Sequence, residues 1–224
     1  MNKLILATIL PILLFMCAHP ILAYSETFLT RDAIITGGGI ITEGDGKDAI
    51  KITFAVNLLI KYYVNGEGQP VDEYGNVVDN GQLLFAESPK GNFHINFHNT
   101  GYNDDINKGK FTTTDINVVA IRPGSFQDPN DQNNHIFARI EADGKLNGEN
   151  GWSILVRFSD FGAPGKVNRV NPDNLADAIR ISLFDPSDVY VYGTSADFPW
   201  DQGRRTLLDG GNVTIYYQHK LAIR

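Results

Sequence analysis

The groups able to do chemistry in this 224-residue chain are chiefly carboxylates. They fall in three clusters, Asp128/Asp131, Asp160/Asp173/Asp177 and Asp197/Asp201, each in or beside a stretch rich in turn residues. Hard oxygen ligands on loops suit Ca2+, and Asp160, Asp173 and Asp177 are the candidate metal set. None of the clusters has the twelve-residue calcium loop with its central glycine and closing glutamate. Aspartates in turns also bond their own backbone, and plain solvated turns are the competing reading. A convergent carboxylate pair could instead cleave a glycosidic bond.

Trp200 follows Pro199 and stands between Asp197 and Asp201. An aromatic on a loop rim can stack on a sugar ring or anchor a partner. It can equally fold over the open end of the domain. Alternation puts Tyr190 and Tyr192 on one face of a short strand and Val189 and Val191 on the other. The tyrosines are therefore expected to be exposed, and with Trp200 they are the candidate ligand-binding residues.

His94 and His98 invite a zinc reading. Four residues apart on a strand is ~13 Å, and one zinc needs both nitrogens ~2.0–2.1 Å away. The alternation instead turns Phe93, Ile95 and Phe97 to the core and leaves His94, Asn96 and His98 outside. No thiol is available beyond residue 17, and no Gly-x-Ser-x-Gly turn is present. A triad dispersed in sequence stays open.

The elements that must position these groups are strands. From Ile50 to Val64 every second residue is apolar or aromatic: Ile50, Ile52, Phe54, Val56, Leu58, Ile60, Tyr62, Val64. Period-2 alternation marks a strand with one buried face. Fifteen extended residues span about 50 Å, whereas a globule of ~200 residues is about 40 Å across. A bend or bulge is expected, most readily at Asn57-Leu58-Leu59. Gly37-Gly38-Gly39 reads as a corner between two short strands, since glycine admits φ > 0. Further alternating runs follow at Leu83/Phe85, 93–97, 115–122, 135–142, 152–158, 179–183, 189–192 and 213–223, with turn chemistry between them. A small hairpin is expected at Val71 to Val78. No amphipathic helix is evident. About ten antiparallel strands predict an all-β fold, an antiparallel β-sandwich of immunoglobulin-like or jelly-roll-like kind with long end loops.

Met1-Asn2-Lys3 and an apolar run from Leu4 to Cys17 predict a secretory signal peptide over residues 1–23. The run is short for a membrane span and holds Pro11. Residues 24–224 then form one domain. Losing Lys3 leaves 18 of the 19 basic residues against 26 acidic ones, a net charge of −8. That acidity argues against nucleic acid. Cleavage also removes Cys17, the only cysteine, so no disulfide can form within the mature chain. The expected product is secreted, extracellular or periplasmic, without a stable membrane span.

The motifs Gly37-Gly38-Gly39-Ile40, Thr53-Phe54-Ala55-Val56, Gln82-Leu83-Leu84-Phe85 and Ile95-Asn96-Phe97-His98-Asn99-Thr100 come in order. Lys145-Leu146-Asn147-Gly148, Asp177-Ala178-Ile179-Arg180-Ile181 and Gly210-Gly211-Asn212-Val213-Thr214-Ile215 follow. In this the chain resembles a domain of secreted bacterial proteins often found beside choice-of-anchor modules. The resemblance implies a compact extracellular β domain, with no established enzymatic activity and no site residues to carry over. The chain departs from that pattern in polar loops near 65–80, 123–134, 160–176 and 195–206. Together these readings favour a non-enzymatic protein that binds a glycan, matrix polymer or host protein through end loops. A secreted hydrolase using dispersed carboxylates and a structural or assembly domain are the alternatives.

Overall fold

The computed structural model describes residues 28–43, 46–78, 81–100, 104–123, 136–160, 177–194 and 206–217. Their strands are β1 (Leu29–Glu43), β2 (Ile50–Val64), β3 (Lys90–His98), β4 (Lys110–Pro123) and β5 (Ile136–Leu146). They continue with β6 (Glu149–Asp160), β7 (Ala178–Phe184), β8 (Tyr190–Gly193), β9 (Thr206–Leu207) and β10 (Gly210–Tyr217). The helical content among the described residues is a single turn at Asp104–Asn107 and a 3-10 turn at Gly46–Asp48. No helix among them is long and apolar enough to cross a membrane.

The strands form one antiparallel sheet in the order β10-β1-β2-β3-β4-β5-β6-β7-β8, with β9 added on β7. The all-β, antiparallel expectation holds. Tight turns explain the meander. Asn147 and Gly148, both with positive φ, join β5 to β6, the backbone that a two-residue hairpin turn requires. The small hairpin is present, with Val71 bridged to Val77 and Asp72 accepting from the Tyr74 and Asn76 backbone N–H groups, both at 2.9 Å.

In β2 the alternation is realised without interruption. Ile52, Phe54, Val56, Leu58, Ile60, Tyr62 and Val64 are all buried, while Asn57 and Leu59 face out. The bulge expected at 57–59 does not form: the β1–β2 register runs from Leu29↔Val64 to Glu43↔Ile50 without a shift. The glycine run is likewise no corner. Gly37, Gly38 and Gly39 lie inside the single strand β1, paired with β2 on one side and β10 on the other. A Cβ on Gly37 (φ 144°) would fall 2.1 Å from the Asn212 carbonyl oxygen, so these residues let β10 approach closely rather than turning the chain.

Leu83 and Phe85, expected in a strand, belong to no continuous ladder. The segment bridges β2 and β4 through Tyr62↔Phe85 and Gln82↔Ala120. Its backbone bonds both neighbours, Tyr63 N–H donating to Leu84 O (3.0 Å) and Leu83 N–H to Val119 O (2.8 Å).

The sheet is rolled onto its apolar face. Phe54 of β2 and Phe158 of β6 have ring centroids 5.7 Å apart, although four strand steps would separate them by about 19 Å in a flat sheet. Phe93 meets Phe158 edge-on at 5.8 Å, and Phe97 of β3 meets Tyr192 of β8 at 5.3 Å. The buried residues of β1 to β8 and β10 form one continuous cluster. Each aromatic pair adds roughly 0.5–1.5 kcal/mol beyond area burial.

One corner of the roll is drawn together by the β9–β10 segment. Leu207 pairs with Ala178 of β7, Leu208 N–H donates to Asp177 O (2.8 Å), and Asp209 N–H donates to Ile40 O of β1 (2.9 Å). The chain thus passes from one end of the sheet to the other within three residues.

Candidate binding site

Two members of the predicted acidic cluster lie among the described residues. Asp160, the last residue of β6, and Asp177, just before β7, are both buried. The Val213 N–H donates to Asp177 Oδ2 at 2.7 Å, and the Ile215 N–H donates to Asp160 Oδ2 at 2.8 Å. In an antiparallel strand, alternate N–H groups point away from the paired neighbour. Strand β10 pairs with β1 on one edge, and on the other the two carboxylates take the place of a ladder partner. Asp173 lies outside the described residues, as do Asp128, Asp131, Asp197 and Asp201. Among the described residues no group of three His, Cys, Asp or Glu gathers to hold a metal.

The aromatic candidates also separate. Tyr190 is 43 % exposed, but Tyr192 is buried at 1 %. The expectation that both face solvent fails because the β7–β8 ladder slips one residue. Leu183 pairs with Tyr192 and Phe184 with Tyr190, so Val191 is the extra residue and the alternation breaks. Tyr192 turns in against Phe97, while Tyr190 packs at 5.9 Å on Phe184. Trp200 lies outside the described residues. Trp152, expected in the core, is there at 5 % exposure.

The outward row of β3 is as the alternation predicts: Phe93, Ile95 and Phe97 are buried, and His94, Asn96 and His98 are not. His94 Nδ1 lies 3.2 Å from Thr112 Oγ1. Asn96 Nδ2 donates to Thr53 Oγ1 at 3.3 Å.

A cleft of about 890 Å3 opens where β10 ends beside the start of β1, lined among others by Arg31, Asp32, Ile34, Lys61, Tyr216 and Tyr217. Among the described residues, pairing between these strands runs from Ala33↔Tyr217 to Ile40↔Gly210, and β2 pairs with β1 from Leu29 onward. Leu29 and Thr30 of β1 complete the described lining of the cleft. Lys61 is shared with Glu87 at 3.5 Å, a half-exposed pair worth little in water. Inside, the Tyr62 and Tyr217 rings stack at 5.8 Å and 28°. Burial pushes the Tyr62 phenol up to about 12, against a smaller lowering by Arg31. Burial, and then the neighbouring Tyr62, raise Tyr217 as well. Both phenols stay neutral at ordinary pH, and of the two Tyr217 lines the cleft.

Tyr216 lies next along β10 and points outward at 58 % exposure. It stands opposite Ile34, which in turn stands opposite Leu59. An apolar row therefore crosses three strands where the cleft meets the outer face. Sequence reasoning missed Tyr216 as a candidate. It placed Tyr217 on the inward face, and the same alternation turns Tyr216 outward. A second cleft of about 480 Å3 lies by the hairpin, lined among others by Asp72, Tyr74, Phe85 and Asn117.

No family model, curated protein or solved structure matches the chain.

Proposed function

We propose that this is a secreted, non-enzymatic binding protein whose rolled sheet works as a two-layered, sandwich-like scaffold for a surface ligand. The ligand is a glycan, a matrix polymer or a host protein. The observation that carries the reading is Tyr216, a large aromatic exposed where an 890 Å3 cleft opens onto the outer sheet face. Exposed aromatics with polar neighbours suit a ligand that is apolar on one side and wet on the other. The polar loops near 65–80, 123–134, 160–176 and 195–206, the last carrying Trp200, belong to the same reading as end-loop contacts, with Tyr190 as an exposed aromatic.

The likeness to secreted bacterial β domains, the signal peptide over 1–23 and the extracellular or periplasmic location are parts of this proposal. So is Ca2+ at Asp160, Asp173 and Asp177. There an ion has to share Asp160 and Asp177 with the backbone N–H groups they already accept. A melt with chelator and then with added Ca2+ tests it. A Ca2+-dependent rise supports a bound ion, and an unmoved midpoint removes it.

The test of function is a binding screen on a broad glycan and extracellular-polymer array, with and without Ca2+. A selective hit weakened by Tyr216→Ala or Trp200→Ala supports the reading. A hit indifferent to both substitutions places the site elsewhere, and a clean negative across the array turns attention to a structural role.

A further inference from the structure

We propose that the outer face of β10, β1, β2 and β3 is a platform for an uncharged polysaccharide chain. The inference rests on the surface-binding reading above and names its ligand class. Residues 34–40, 53–59, 92–96 and 210–216 contain no Asp, Glu, Lys or Arg. These four segments lie side by side in register, Thr214 opposite Thr36, Thr36 opposite Asn57 and Asn57 opposite Asn92. A chain with 20 % charged residues thus presents four adjacent strands of wetted surface without a formal charge. Charge begins at once beyond the patch, with Asp32 and Lys61 paired on one side, Lys90 of β3 opposite Leu59, and Lys51 beside His98 on the other.

The outward polar groups on this face are hydroxyls, amides and the His94 imidazole, and several are held in place. Asn96 bonds Thr53, His94 contacts Thr112, and Asn212 Nδ2 donates to Thr214 Oγ1 at 2.9 Å. Groups already fixed lose little freedom when a ligand binds. Strands spaced ~4.8 Å apart repeat the donors and acceptors across the face. Neighbouring Tyr216, Ile34 and Leu59 supply one apolar row for the C–H face of a sugar ring. A polyanion needs cations that these segments lack. A protein interface draws on a cluster of large apolar anchors at its centre, and here they are confined mainly to one row at the margin. A neutral polymer bearing many hydroxyls matches both features.

The experiment is retention of the purified full-length chain by neutral polysaccharides (cellulose, chitin, xylan and mannan) against alginate and polygalacturonate, at low and high salt. We expect retention by a neutral polymer, insensitive to salt. Asn57→Asp and Thr36→Asp, which place an unpaired charge mid-face, should weaken it by about tenfold or more with the melting midpoint unmoved. Salt-sensitive retention by the polyanions, or neutral binding untouched by the two aspartates, overturns this inference while leaving a surface-binding protein. Retention by neither class overturns it too, and a negative array as well removes the broader reading.

Discussion

The Asp177 carboxylate accepts the Val213 backbone N–H at 2.7 Å, from 36 positions further along the chain. Asp160 does the same for Ile215 at 2.8 Å, across a separation of 55 positions. Two side chains thereby do for one edge of β10 what a tenth ladder partner would do, and they hold the corner of the rolled sheet.

Removing either acceptor strands a buried N–H, which costs about 1–3 kcal/mol. Asp177→Ala and Asp160→Ala should each lower the thermal midpoint by several degrees, at roughly 2–4 °C per kcal/mol for a domain this size. Asp177→Asn keeps an acceptor oxygen and should lose less. Equal losses in the alanine and asparagine variants would show that charge, not the acceptor, matters.

The β1–β10 contact depends on missing side chains. A Cβ at Gly211 (φ 105°) would lie 2.1 Å from the Gly38 carbonyl oxygen, mirroring Gly37 against Asn212. Gly37→Ala and Gly211→Ala should each destabilise by more than about 1 kcal/mol. Gly66→Ala, with open space around its Cβ, should be near neutral. Denaturant midpoints of the three variants check the contrast.

These two relationships show where the sequence was legible. The alternation of residues 50–64 and 93–97 gave faces correctly, because period 2 is a property of a strand by itself. The run Gly37-Gly38-Gly39 was misread as a corner because its cause, a neighbouring strand pressed close, lies nearly 180 residues away in β10. Length alone also misled for β2, whose fifteen residues stay in one unbroken register with β1. Asp160 and Asp177 were read as metal ligands, whereas the partners the structure gives them are backbone N–H groups of β10 that no side-chain pattern announces. Tyr192 was misplaced by one extra residue, Val191, in a four-residue strand.

The Tyr62 hydroxyl is buried with no hydrogen-bond partner among the described residues. Tyr62→Phe should therefore be neutral or slightly stabilising near pH 7, since it deletes a desolvated polar group. Its pKa is raised from 10.0 to about 12. The folded state keeps a proton that the unfolded chain releases above about pH 10. Its contribution is thus complete below pH 10 and lost as pH rises from about 10 towards 12. Denaturant midpoints across that window should fall less steeply in Tyr62→Phe. A loss above about 1 kcal/mol at pH 7 would reveal a partner for the hydroxyl.

The central claim is that ligand binding passes through Tyr216 at the mouth of the cleft. The most direct measurement is the dissociation constant of the wild-type chain and of Tyr216→Ala for the strongest ligand on the array, with melts of both. At 58 % exposure Tyr216 contributes little to the fold, so the midpoints should agree. Losing an aromatic anchor costs 1 kcal/mol or more, about fivefold or greater in affinity. Unchanged affinity with an unchanged midpoint would contradict the account and move the site away from this face.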